Sequence, residues 1–170
     1  MTERPGTFLD GIPGRGIVRF DLWVTGLFCV SAAWAAWSFD GVAKVQGVVV
    51  SLGAFAIGIA AFLWGYWTAV QRSRTAEMSV AELYFLLGAP VPRNVKWWMN
   101  GCLIAQTVMS VTTAIVRPST PSADGGSTAG STLAFGVLVP VLGLGLNGLW
   151  AASHGAFGPR RVVDGDDRTE

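Results

Sequence analysis

Apart from Gln46 and Gln71 at the ends of one run, four strongly polar side chains lie within or at the border of otherwise apolar stretches of this chain: Asn100, Gln106, Asn147 and His154. Asn147 and His154 are seven residues apart, which places them on one face of a helix. Amide and imidazole groups set between helices exchange hydrogen bonds worth about 0.6 kcal/mol each in a bilayer. A cluster of the four would therefore fix geometry more than it stabilises, and this structural use is the favoured reading. A polar pathway is the sharper one, and His154 has the ordinary chemistry of a pH sensor.

Catalytic chemistry is harder to assemble. The chain has 11 Asp and Glu and a single His, scattered through the leader, loops and tail, so no nucleophile, base and orienting group come together. Asp21 and Asp40 read as flanking the first apolar stretch at opposite boundaries. No carboxylate is then expected within a span, where proton-coupled carriers place one. Cys29 and Cys102 fall inside apolar stretches without metal-ligand spacing and read as small buried hydrophobes. "GLGLNG", residues 143 to 148, matches G-x-G-x-x-G, but a dinucleotide fingerprint needs a strand before it and a helix N-terminus to meet the pyrophosphate. Here the motif sits inside an apolar stretch just after Pro140, a residue expected to kink the helix. The expectation is a non-enzymatic protein with no cofactor and no metal.

The elements that would position these residues follow from charge. Leu22–Phe39, Val45–Gln71, Trp97–Val116 and Gly125–Pro159 contain no Asp, Glu, Lys or Arg, and none is shorter than 18 residues. About 20 helical residues cross a hydrocarbon core of roughly 30 Å. The fold expected is all-α and integral to a membrane. It has four spans, about 22–39, 45–71, 97–116 and 132–153, after a leader over 1–21 and before a disordered tail over 160–170. The first apolar run follows that polar leader and reads as a retained signal anchor, not a cleaved signal peptide. The stretch 117–131, rich in Ser, Thr, Pro and Gly, is expected to be a flexible extracytoplasmic loop. Ten Lys and Arg lie in the leader, the 72–96 connection and the tail, against Lys44 and Arg117 on the other side. That asymmetry predicts an inner-membrane protein with both termini in the cytoplasm. All eight Trp residues, Trp150 among them, fall where interfacial anchors are expected.

Gly47, Ser51, Ala54, Gly58, Ala61, Gly65 and Thr68 are spaced 4, 3, 4, 3, 4, 3 along the second span. Small residues in one stripe let helices approach closely, and a 3.5 period suits a left-handed crossing. Shorter stripes are Gly26, Cys29, Ala33 and Ala36 in the first span and Gly136, Pro140 and Gly143 in the fourth. Packing within the chain is the leading use of these seams; a second subunit is the alternative.

"SVAELYFLLGAPVPRNVKWW", residues 79 to 98, resembles a helix-turn-helix opening, yet "RNVKWW" would be the first turn of the third span and cannot enter a major groove. A nucleic-acid partner is not expected. Ser79 and Glu82 fit a capping box, which predicts a short cytoplasmic amphipathic helix over 79–88 with Gly88 as its stop. Its apolar residues Val80, Leu83, Tyr84, Phe85, Leu86 and Leu87 are expected to pack under the bundle or dock a partner.

The Gly/Ala/Trp-rich spans, short loops and acidic tail resemble the small four-span inner-membrane proteins of actinobacteria, a group of unknown function. The resemblance is one of architecture and assigns no site residues. The function expected is that of a scaffold or accessory subunit of a membrane complex, with the bilayer and another membrane protein, or a second copy, as partners. A small oligomeric transporter or channel component is the alternative, and a membrane-bound regulator the third possibility.

Overall fold

The computed structural model describes residues 11–38, 40–88, 91–116, 119–121, 127–129 and 132–159. Its helices are α1 (Arg15–Ser38), α2 (Gly41–Arg72), a short α3 (Val80–Tyr84), α4 (Arg93–Val116) and α5 (Pro140–His154), the last preceded by a 3₁₀ segment, Thr132–Leu138. Four helical stretches, Arg15–Ser38, Gly41–Arg72, Arg93–Val116 and Ala134–His154, are long and apolar enough to cross a membrane. The architecture is that of a multi-pass, all-helical membrane protein with one short helix between the second and third spans.

The helices outrun the charge-free stretches. α1 begins at Arg15 rather than near 22, and α4 at Arg93 rather than 97. Absence of charge marks what hydrocarbon accepts, whereas a helix continues into the interface, where Arg and Lys lay their stems on apolar surface and keep their heads in water. "RNVKWW" is accordingly the start of α4. Asp40 caps α2, its carboxylate accepting the Ala43 N–H at 2.7 Å.

α2 packs most extensively on α5, and α1 packs on α4. The α2 seam is buried from Gly47 through Ser51, Ala54, Gly58, Ala61 and Gly65, then continues to Ala69 instead of Thr68. A Cβ on Gly58 would stand 2.6 Å from the Leu142 nitrogen, and one on Gly65 2.7 Å from the Leu149 nitrogen. Backbone meets backbone along this line. At Gly58 and Gly65 the seam packs against α5 of the same chain.

Three other expectations are corrected. The first-span stripe lies at the edge of the packed face: Gly26 and Ala33 are exposed, with nothing within 4 Å of the Gly26 Cβ position, Cys29 and Ala36 are half-buried against the core, and the buried residues are Val18, Asp21, Thr25, Phe28, Ser31, Ala32 and Ala35. Pro140 does not kink a helix, because it stands at the first position of α5, where its missing N–H has no helical acceptor to lose. Trp150 is no interfacial anchor; it is fully buried, and its indole N–H donates to the Pro13 carbonyl at 2.9 Å. Within 117–131, Ser119–Pro121 and Ser127–Ala129 pair antiparallel, so part of the expected loop is a strand pair. The tail over 160–170 and residues 1–10 of the leader lie outside the described residues.

The outer faces carry large apolar side chains such as Trp23, Leu27, Trp37, Leu63, Trp67, Ile104 and Ile115. Some hydroxyls on the spans return to their own helix, as Ser51 Oγ donates to Gly47 O at 2.8 Å and Thr107 Oγ1 to Leu103 O at 2.8 Å, and others cross to a neighbouring element, as Ser31 Oγ donates to Gln46 Oε1 at 3.0 Å and Ser110 Oγ to Gly136 O at 2.7 Å. Hydrocarbon offers no other acceptor.

Candidate functional site

The four polar residues expected to cluster separate into two groups and an outlier. Asn100 and Asn147 meet at the end of the bundle that carries α3. The Asn147 amide donates to Asn100 Oδ1 at 3.1 Å and to the Tyr84 carbonyl at 3.0 Å, and the Asn100 amide donates to the Phe85 carbonyl at 3.0 Å. These carbonyls belong to the last turn of α3 and have no helical donor, so two asparagines from two spans close a third helix.

The helix they close is shorter than its sequence signal. The capping box at Ser79 and Glu82 forms as expected, but α3 stops at Tyr84, well before Gly88. Leu86 follows in the left-handed region with φ 53°. That conformation costs a leucine about 1–2 kcal/mol. Its side chain is completely buried, which returns roughly 1.5–3 kcal/mol. Burial wins, and the chain turns at a leucine before it reaches glycine.

The apolar residues of this connector divide by side. Leu83, Tyr84 and Leu86 are buried, while Val80, Phe85 and Leu87 face outward. Tyr84 stacks on Phe62 with ring centroids 4.6 Å apart and lies over Gly148 of α5. Burial, and then the nearby Tyr66, hold its phenol above the ordinary range. An apolar groove of about 500 Å³ runs beside α3, with Phe62, Tyr66, Val70, Val80 and Leu83 on its walls. A second, of about 490 Å³, lies on the other side, between Phe85, Leu87 and the Asn100–Val108 face of α4.

Gln106 belongs elsewhere, at the middle of α4. Its Nε2 donates to Thr25 Oγ1 at 2.7 Å and to Asp21 Oδ1 at 3.3 Å, and its Oε1 accepts the Gly143 N–H at 3.2 Å. Thr25 Oγ1 also donates to Asp21 Oδ1, at 3.4 Å. Asp21 thus does not flank the first span. It lies inside α1, fully buried, bonded to the centre of α4. The expectation of a bundle interior without carboxylate is overturned. The signal was present: Val18, Asp21, Thr25, Phe28, Ala32 and Ala35 follow a 3, 4, 3, 4, 3 spacing, and Asp21 is in phase with the packed face.

His154 joins neither group. It is exposed at the end of α5 and stacks on Trp150 at 5.7 Å. Arg72, which in the sequence counts only as a positive charge of the 72–96 connection, reaches from the end of α2 to the Ala152 and Gly155 carbonyls at 2.6 and 3.0 Å and closes the C-terminus of α5. The glycines of "GLGLNG" serve packing on three sides. Gly143 faces Gln106 and Leu103, Gly145 faces the Gly58 carbonyl, and Gly148 faces Tyr84. Among the described residues no three His, Cys, Asp or Glu side chains gather as a metal site would need.

No protein-family model matches the chain, and neither the curated proteins nor the solved structures include a match.

Proposed function

We propose that this multi-pass membrane protein is a non-catalytic accessory subunit that docks another membrane protein through its connector between the second and third spans. One observation carries the reading: the connector is hydrogen-bonded at both ends of its helix yet keeps apolar residues turned outward. The capping box fixes its start, and Asn100 and Asn147 fix its end. Val80 is 72%, Phe85 50% and Leu87 54% exposed, with an apolar groove on either side. A mere linker would have no need of either feature. The charge asymmetry supports an inner-membrane protein with this surface and both termini in the cytoplasm.

The test is a photo-crosslinking amino acid placed in cells at Phe85 or Leu87, with Leu83 as the buried comparison and Ile104 as the lipid-facing one. A discrete protein adduct from 85 and 87 only is the expected result. Adducts to lipid alone, or equal labelling from Ile104, would overturn the proposal.

The second reading, a small oligomeric transporter or channel component, is favoured by one specific feature, the Asp21–Thr25–Gln106 centre in the bundle interior. Substrate flux in proteoliposomes that is lost on changing Gln106 or Asn147 would discriminate it from docking.

A further inference from the structure

Asp21 is the one fully buried acidic side chain among the described residues. Its two oxygens are treated unequally. Oδ1 accepts from both Thr25 and Gln106, whereas Oδ2 is closed off from solvent with no hydrogen-bond partner. The network cannot turn to serve Oδ2. The Gln106 carbonyl oxygen is engaged by the Gly143 N–H, which orients the amide, and the Gln106 NH₂ is divided between Thr25 and Asp21.

Among the described residues no basic side chain faces this carboxyl from the elements packed around it. α4 presents Gln106 and the buried thiol of Cys102, a weak neutral donor held against the Asp21 carboxyl. α1 itself adds Cys29, two turns away, and its Arg15 and Arg19 are exposed. The packed face of α2 is Ala, Gly and Ser. The 3₁₀ segment has no titratable residue, and the only one on α5 is the exposed His154. Neutral dipoles alone offset a full charge poorly in a low-dielectric interior.

A metal ion would need several oxygens around a cavity, but Oδ2 is enclosed, and Gln106 presents its amide nitrogen to Oδ1 while its oxygen is taken by the Gly143 N–H. The ligand that completes a lone enclosed carboxyl oxygen without any cavity is a proton. We infer that the Asp21–Thr25–Gln106 centre is a proton-binding site in the middle of the bundle, where Asp21 Oδ2 takes up and releases a single proton while Oδ1 stays tied to its two donors. One O–H bond forms or breaks, the proton is exchanged with water, and nothing is oxidised or reduced. This site is separate from the connector surface and does not depend on the docking proposal.

The experiment is infrared difference spectroscopy of the full chain in lipid nanodiscs, titrated over the pH range in which circular dichroism shows an intact bundle. The expected result is a protonated-carboxyl carbonyl band that fades as pH rises, shifts in heavy water and is missing from Asp21→Asn. Thr25→Val removes a hydrogen-bond donor from Oδ1, so the carbonyl band of the protonated form should shift in frequency. A band that is absent, does not depend on Asp21 or never titrates would overturn the inference. Should Asp21→Asn fail to fold, Thr25→Val decides: a shifted band that still titrates sustains the site, and an unshifted band overturns it.

Discussion

Gly58→Ala places a single methyl group where α2 crosses α5. The added Cβ would stand 2.6 Å from the Leu142 nitrogen, 2.7 Å from its Cα and 2.8 Å from the Val141 carbonyl carbon. All three are backbone atoms, so no side chain can swing aside. Ordinary contact begins near 3.5 Å, which requires α2 and α5 to part locally by about 1 Å. A gap of that size forfeits a quarter to a half of the dispersion energy of the atoms around it. The seam runs through Ala54, Ala61 and Gly65 on either side of the substitution, so several contacts loosen together. Overpacking of this kind costs about 1–3 kcal/mol, and in lipid no hydrophobic term between helices offsets it. We expect about 2–3 kcal/mol, the upper part of that range, because backbone cannot repack. Gly53→Ala is the control. It lies five residues away on the same helix with nothing within 4 Å of its Cβ position, and alanine there should be neutral or stabilising by up to about 1 kcal/mol through helix propensity. The assay is reversible unfolding in mixed micelles, followed by far-ultraviolet circular dichroism. Equal midpoints for Gly58→Ala and Gly53→Ala would refute the argument that close backbone contact holds this bundle together.

Three further outcomes are expected. Asn147→Ala strips the donor from the Tyr84 carbonyl and from Asn100 Oδ1. Hydrogen exchange should quicken at residues 80–88 while the centre of α2 stays protected, and uniform exchange would show that the connector is held by something else. Leu86→Gly relieves the left-handed backbone but removes a fully buried side chain, for a net loss of about 1–2 kcal/mol; a raised Tm would reverse that balance. Arg72→Gln frees the Ala152 and Gly155 carbonyls, so limited proteolysis should cut more readily near 155–159, and an unaltered cleavage rate would count against the cap.

Much of the fold is legible in the chain because it depends on local composition. Long stretches without charge mark the spans, since water and hydrocarbon select residues one by one. The α2 seam can be read because glycine and alanine stand out at a 3.5 period, and the Ser79–Glu82 box because its bonds join neighbours three residues apart. The candidate site is less legible. Asn100, Gln106 and Asn147 were visible as polar residues in apolar runs, but only the packed bundle sends Asn100 and Asn147 to the connector and Gln106 to Asp21. His154 carries the same kind of polarity and ends in solvent.

The amino-acid sequence by itself determined four apolar helices, the small-residue line along the second and a capped helix between the second and third. Tertiary structure decided which face of α1 turns inward and, with it, that Asp21 lies at the centre of the bundle instead of its edge. The physical reason is that a residue's depth is set by the helix packed against it: Asp21 follows two arginines and looks peripheral along the chain, yet Gln106 from the middle of α4 meets it across the interface.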